Sequence, residues 1–222
     1  MIQASGLRVI FGRTRALDGV DISLDEGVFG LFGPNGSGKS TLLKVIAGLL
    51  RPTAGEVTVN GYHPRARAEM VRRLIGYVGH DSGLYPELSI AENLELFSRL
   101  YGCSRGRTHE VLEGFGLGDW AATPAGALSA GLKRRAAVAR ALLHDPAVLL
   151  LDEPYANLDD DAAELVSRMV VSWRSSGRVA VIATHGAKIV KRFADGGVIL
   201  KQGRVVISGR YGAARAKRGE GA

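Results

Sequence analysis

The chain has little cysteine: Cys103 is the only one in 222 residues. That excludes an intramolecular disulfide and any cysteine-rich zinc site, and it fits a reducing, cytosolic address. No apolar stretch approaches the roughly 18 uninterrupted residues that a membrane-spanning helix needs. Met1-Ile2-Gln3-Ala4-Ser5 lacks the charged-then-apolar layout of a secretory leader. The expectation is a chain that neither crosses nor enters a membrane by itself. Internal repeats are absent. The formal charge of +7 is also missing from most of the molecule, because Lys201, Arg204, Arg210, Arg215, Lys217 and Arg218 against Glu220 place +5 of it in the last 22 residues. The basic Gly/Ala-rich tail, 211–222, reads as a frayed solvated terminus. The competing reading is an arm for anionic lipid headgroups, which attract such segments by about 1 kcal/mol per basic residue. What is present is a globular balance, 46% apolar and 23% charged, enough to bury a substantial core.

Hydrophobic spacing then orders the elements. Leu7-Val9-Phe11 and Val20-Ile22-Leu24 alternate as strands do, and Val28-Phe29-Gly30-Leu31-Phe32 is a continuous run of the buried-strand kind. Leu42, Leu43, Ile46 and Leu49 predict a helix over 39–50, and 56–61 reads as a hairpin strand and turn. A short strand at 75–78 precedes a helical middle, with Ser89-Ile90-Ala91-Glu92 as a capping-box start. Further helices are expected to about 101, over 108–115 and over 131–143. Strands at 147–151 and 179–183 flank a helix over 160–175, and a hairpin closes the chain. The fold class expected is α/β, with a β-rich N-terminal part and an inserted helical subdomain. Within one domain spanning 1–222, segments 1–85 and 145–210 form the α/β core, 86–144 the helical insertion and 211–222 the tail.

The chemistry concentrates in two places. Gly33-Pro34-Asn35-Gly36-Ser37-Gly38-Lys39-Ser40-Thr41 matches G-x-x-x-x-G-K-[ST] in full, between a predicted strand and a predicted helix. Its glycines let consecutive N–H groups turn around phosphate oxygens, where the positive end of the helix dipole also points. Lys39 adds a charge at the β/γ-phosphates, and the Ser40 hydroxyl can ligate Mg²⁺. A P-loop needs an acidic partner at the end of another buried strand, and Val148-Leu149-Leu150-Leu151-Asp152-Glu153 supplies it. Asp152 is the candidate holder of Mg²⁺, through its water shell. Glu153 is the candidate group to align and polarise a water for in-line attack. Two carboxylates behind four apolar residues require a nearby cation.

With those residues in place, the chain resembles the ATP-binding subunits of ABC transporters over nearly its whole length. Leu128-Ser129-Ala130-Gly131-Leu132-Lys133-Arg134-Arg135 is similar to the family signature LSGGQ-x-R, and Ser129 lies 23 residues before Asp152. The resemblance implies a P-loop NTPase (RecA-like) core with an N-terminal antiparallel β subdomain and an inserted α-helical signature subdomain. It implies ATP and Mg²⁺ as ligands, and a homodimer in which two ATP are sandwiched, each between one P-loop and the Ser129 and Gly131 turn of the other chain. It implies that Thr184-His185 carries a histidine contacting the γ-phosphate, making Lys39, Glu153 and His185 the catalytic set. Ala156-Asn157-Leu158-Asp159 then occupies the D-loop, so Asp159 joins the nucleotide-site residues. Phe11 takes the place of the ring that stacks on adenine, with a core phenylalanine as the competing reading. No N-K-x-D guanine motif is present, which favours ATP over GTP.

The sequence departs from the family at two points. His80 stands where the Q-loop glutamine belongs; an imidazole offers one acceptor and one donor, and Mg²⁺ prefers oxygen, so a water-mediated contact to the nucleotide is its expected role. Ala130 and Leu132 replace Gly and Gln of the signature. Val78-Gly79-His80, Leu84-Tyr85-Pro86-Glu87-Leu88-Ser89, Glu92-Asn93-Leu94 and the Ser129-Ala130-Gly131 turn together resemble the ATP-binding subunit of the haem exporter of cytochrome c maturation. That resemblance implies a peripheral protein on the cytoplasmic face of the membrane, docked on a separate integral membrane permease near 80–88, with no nucleic acid as partner. The alternatives are an ABC-type switch in assembly or signalling without transport, and an export ATPase for drugs, ions or lipids.

Overall fold

The computed structural model describes residues 1–211; apart from Tyr211, the expected basic tail lies outside the described residues. The chain opens with β1 (Ile2–Phe11) and β2 (Thr14–Leu24), followed by β3 (Gly27–Phe32), α1 (Lys39–Ile46) and β4 (Ala54–Val59). Next come α2 (Ala68–Leu74), β5 (Ile75–Val78), α3 (Ile90–Tyr101) and α4 (Arg107–Gly114). After two single 3₁₀ turns, the chain runs through α5 (Ala130–Leu142), β6 (Val148–Asp152), α6 (Asp160–Trp173), β7 (Val179–Thr184), α7 (Ala187–Lys191), β8 (Gly196–Lys201) and β9 (Arg204–Arg210). This is the expected α/β RecA-like core with an N-terminal β-sheet and helical insertions.

Two sheets organise it. β2-β1-β4 form an antiparallel sheet, and β5-β6-β7-β3-β8-β9 form a second one that is parallel up to its last strand. The three central strands β6, β7 and β3 are buried at every position, as a parallel sheet covered on both faces requires. Their side chains alternate between two cores. Val28, Leu149, Leu151, Ala180 and Ile182 face the helical side, whereas Phe29, Leu31, Val148, Leu150 and Val181 face α1 and the antiparallel sheet. Helix α1 is thereby wedged between two sheets, which fixes the loop that precedes it.

Three local differences from the sequence expectations have physical causes. Helix α1 stops at Ile46 rather than 50, because Gly48 takes the left-handed conformation (φ 72°) that ends helices, leaving Leu49 exposed. The turn at Asn60-Gly61 closes only a single bridge, Val59 to Tyr62; the main partner of β4 is β1, more than 40 residues away in sequence. Helix α2 was not foreseen, since of its seven residues only Val71 is buried, too little for an apolar period to show.

Candidate active site

The sheet order brings three loops together. In the register, Leu31 and Asp152 both lie beside Ala183, and Phe32 lies beside Thr184. The C-terminal ends of the neighbouring strands β6, β7 and β3 therefore deliver Asp152-Glu153, Thr184-His185 and Gly33 to one crest, the usual ligand position of an open α/β sheet. The P-loop leaves β3 and enters α1 at Gly38, whose φ of 105° and close approach to the Ala16 carbonyl, 2.5 Å from a Cβ built there, exclude a side chain. Helix α1 has no side-chain cap and no acidic residue in its first turn, so its leading N–H groups remain free for an anion. Ser37 is buried, and its hydroxyl has no hydrogen-bond partner among the described residues, while Pro34, Asn35 and Gly36 form the exposed crest of the loop.

Lys39 is 6% exposed, and its ammonium folds back to donate to Gly33 O at 2.8 Å and Pro34 O at 3.3 Å. It also lies 3.8 Å from Glu153 Oε1. The Glu153 carboxylate accepts from His185 N at 3.0 Å, and its Oε2 is 3.1 Å from His185 Nδ1. Glu153 holds a left-handed φ of 48°, with its own N–H donated to Ala183 O at 2.8 Å. A non-glycine residue in that region costs on the order of 1 kcal/mol, so the neighbouring strand is what keeps the carboxylate turned toward the P-loop. Lys39, Glu153 and His185, spread over 147 residues of sequence, thus form one contact chain.

Asp152 is 2% exposed, and the one side-chain hydrogen bond it has among the described residues comes from Ser40 Oγ at 3.1 Å. A buried carboxylate with a single neutral donor calls for a cation. The pair offers two hard oxygens, the donor type Mg²⁺ takes. No group of three or more His, Cys, Asp or Glu suited to a metal occurs among the described residues. The protein would therefore supply part of the shell, and phosphate and water the rest, as Mg²⁺ sites with nucleotides are commonly built.

A cleft of ≈ 700 Å³ extends from this crest, with Phe11, Ser40, Thr41, Tyr77, His80 and Asp152 among its walls. Phe11 is 51% exposed, which removes the core reading and leaves its ring free for a flat apolar ligand. His80 is exposed at the same cleft, in the loop after β5. Burial, with Asp152 and Asp81 adding to it, pushes the Tyr77 phenol up to about 12, so this wall stays protonated and neutral.

Ser129, Gly131 and Asp159 lie elsewhere. Ser129 caps α5 by accepting from Leu132 N at 3.3 Å, and Asp159 caps α6 by accepting from Ala162 N at 2.8 Å. Both line a second concavity of ≈ 500 Å³, together with Gly131, Asn157 and Leu158. It shares no lining residue with the first cleft. Of the residues expected in one nucleotide site, the structure therefore groups Phe11, the P-loop, His80, Asp152, Glu153 and His185, and sets the signature and D-loop residues apart. Sequence reading missed Arg140, which donates to Tyr77 O at the end of β5, and gave no contact to Arg134, the arginine of the quoted signature, whose guanidinium reaches the Gly79 and His80 carbonyls. Both partners lie more than 50 residues away, so no local pattern shows these contacts.

Comparison with known proteins places this arrangement. The sequence profile described as "ABC transporter" matches residues 17–156. A Nod factor export ATP-binding protein I of Ralstonia nicotianae is 34% identical over 215 residues, covering 95% of this chain and 67% of that protein. The daunorubicin/doxorubicin resistance ATP-binding protein of Streptomyces peucetius is 34% identical over 223 residues, covering 98% and 68%. Among solved structures, a dimeric ATP-binding cassette in a post-hydrolysis state, bound to ADP and Pi, superposes with a TM-score of 0.85 at 29% identity, covering 95% of this chain and 98% of that one.

Proposed function

We propose, from the premise that this chain belongs to the ABC transporter family and is an ATP-binding and ATP-hydrolysing domain, that it drives a separate membrane permease as one half of a homodimer closed around two ATP. The observation that carries this reading is the crest where Lys39, Glu153 and His185 meet beside Ser40 and Asp152. Phosphate oxygens would draw the Lys39 ammonium off the Gly33 and Pro34 carbonyls, because a charged acceptor outcompetes neutral ones. That same movement frees Glu153 to accept the proton of the attacking water, as the new O–P bond forms and the bond to the leaving ADP oxygen breaks. His185 holds Glu153 in place and is set to donate to the γ-phosphate. Ser40 and Asp152 would hold Mg²⁺, whose contribution is to neutralise charge on the phosphates. Phe11 stacks on adenine, and Thr41 and His80 complete the walls.

The separate Ser129–Gly131 concavity supports the dimer. It holds a helix N-terminus and shares no lining residue with its own P-loop cleft, so we assign it to the γ-phosphate held by a second copy, with Asp159 beside it at the interface. A similar cassette is dimeric in its post-hydrolysis state. No helix among the described residues is long and apolar enough to cross a membrane. The reading places the permease in a separate chain and this domain at the cytoplasmic face. The names of the relatives speak of Nod factor export and of daunorubicin/doxorubicin resistance, and we assign export as the direction. Haem export for cytochrome c maturation is the narrower reading; it rests only on the sequence resemblance of Val78-Gly79-His80, 84–89, Glu92-Asn93-Leu94 and the Ser129-Ala130-Gly131 turn. Substrate contacts belong to the permease, so identifying the membrane protein that co-purifies from native membranes decides the cargo.

Glu153→Gln tests the ATPase reading. The amide keeps the shape and cannot take the proton, so ATP binding persists while steady-state hydrolysis falls by roughly two to four orders of magnitude. Multiple-turnover hydrolysis at the parental rate removes Glu153 from its role.

A further inference from the structure

We infer that Arg134 is a positioning residue for the ATPase reaction: its guanidinium pins the loop carrying His80 to the signature helix, so that α5 sets where this loop stands in the nucleotide cleft. The inference rests on the ATPase reading above and deepens it. Arg134 lies in the second turn of α5, five residues after the Ser129 cap. Its Nη1 donates to Gly79 O at 2.9 Å and its Nη2 to His80 O at 3.2 Å. Further along the same helix, Arg140 Nη2 donates to Tyr77 O at 2.9 Å, with its guanidinium 4.8 Å from the centre of the Phe97 ring. Two arginines of one helix therefore hold three of the four carbonyls from Tyr77 to His80.

Strand pairing cannot do this work. β5 pairs with β6 only as far as Val78, so the carbonyls of Gly79 and His80 lie beyond the ladder. Tyr77, Gly79, His80 and Asp81 all line the cleft that Ser40 and Asp152 also line. The acceptors are backbone atoms, so the hold does not depend on which side chain stands at 80. A planar fork with two parallel donors fixes both distance and orientation, which a single ammonium cannot do. Burial lowers the Arg134 pKa, while Asp152, Asp81 and Glu153 pull it back up, which puts its charge within electrostatic reach of the two carboxylates at the crest. Geometry and field are thus both available to Arg134, and they make opposite predictions for lysine.

The experiment compares Arg134→Lys and Arg134→Ala with the parent in ATP titration, steady-state ATPase and thermal unfolding. If the fork positions the loop, both variants bind ATP within about twofold of the parent, and both lose roughly tenfold to a hundredfold in kcat with little change in KM, the scale expected for an ångström of misplacement. His80→Ala, expected to lower kcat in the parent, should then add little in the Arg134→Lys background, because the loop is already displaced. Parental kcat in Arg134→Lys with a loss in Arg134→Ala would assign the effect to charge and overturn the inference. So would fully additive losses, or weakened ATP binding in Arg134→Lys. If Arg134→Ala does not fold, Arg134→Lys and the double variant still decide. Glu153→Gln, run alongside, separates the two readings: its activity would remove the ATPase assignment, whereas its inactivity beside a fully active Arg134→Lys would remove only the role of Arg134.

Discussion

The P-loop and the signature turn are both helix N-termini, and they are built in opposite ways. At the P-loop, Gly38 offers no side chain to cap α1, Ser37 and Lys39 are buried, and the loop lies between two sheets. At the signature, Ser129 caps α5, and Ser129 and Ala130 stand exposed at the rim of an open concavity. Neither helix has an acidic residue in its first turn, whereas α3 has Glu92 and α6 has Asp160 and Asp161. Both α1 and α5 thus keep the positive end of the helix dipole uncompensated. The P-loop has Asp152, Glu153 and His185 beside it within its own chain; none of these lines the signature concavity. The comparison teaches that each proposed site is one half from one chain, its P-loop side, completed by the exposed signature half of another.

Lys39→Ala attacks the complete half and should have the largest effect. Removing the cation from beside Glu153 and the phosphates abolishes detectable ATP binding by titration, and hydrolysis with it. Parental affinity would show that the P-loop is not where nucleotide binds. Ser129→Arg attacks the exposed half. Each chain still binds ATP through its own P-loop within a few-fold of the parent, but the long side chain blocks the approach of a facing γ-phosphate, so hydrolysis falls by roughly a hundredfold or more. Parental turnover in Ser129→Arg would break the division between the two halves.

A smaller effect distinguishes the scaffold on the signature side. His144, just past α5, stacks on Tyr101 of α3 with ring centroids 3.9 Å apart. Burial, helped by the Arg140 charge, lowers its pKa to about 4 against an unfolded value near 6.5. The unfolded chain therefore takes up a proton at higher pH than the folded one. The stabilisation is complete above about pH 6.5 and is lost as the pH falls toward 4, up to about 3 kcal/mol. His144→Phe keeps a stacked ring without the titration. Its unfolding temperature should fall less than that of the parent between pH 7 and pH 4; equal slopes would contradict the buried-neutral assignment.

Much of this was legible in the sequence, for reasons that differ between regions. The P-loop string carries its chemistry in consecutive residues, and the apolar run ending in Asp152-Glu153 announces a buried strand with carboxylates at its tip. The cap at Ser89 follows from spacing alone, and it is present. What the sequence left dark is non-local. The row of Leu31, Ala183 and Asp152 depends on the strand order β6-β7-β3, which no local pattern encodes. Arg134 is visible as the arginine of the signature string, but its partner, the Gly79 carbonyl, is not until the loop is folded against it. Helix α2 hid because a helix with one buried residue has no period to detect.

Light scattering of the Glu153→Gln chain, with and without Mg-ATP, tests the two-halves account most directly. The account predicts a monomer without nucleotide and a stable dimer with it, and no dimer when Ser129→Arg is added to the same chain. A chain that binds ATP and stays monomeric, or one that dimerises equally well with Ser129→Arg, would contradict it.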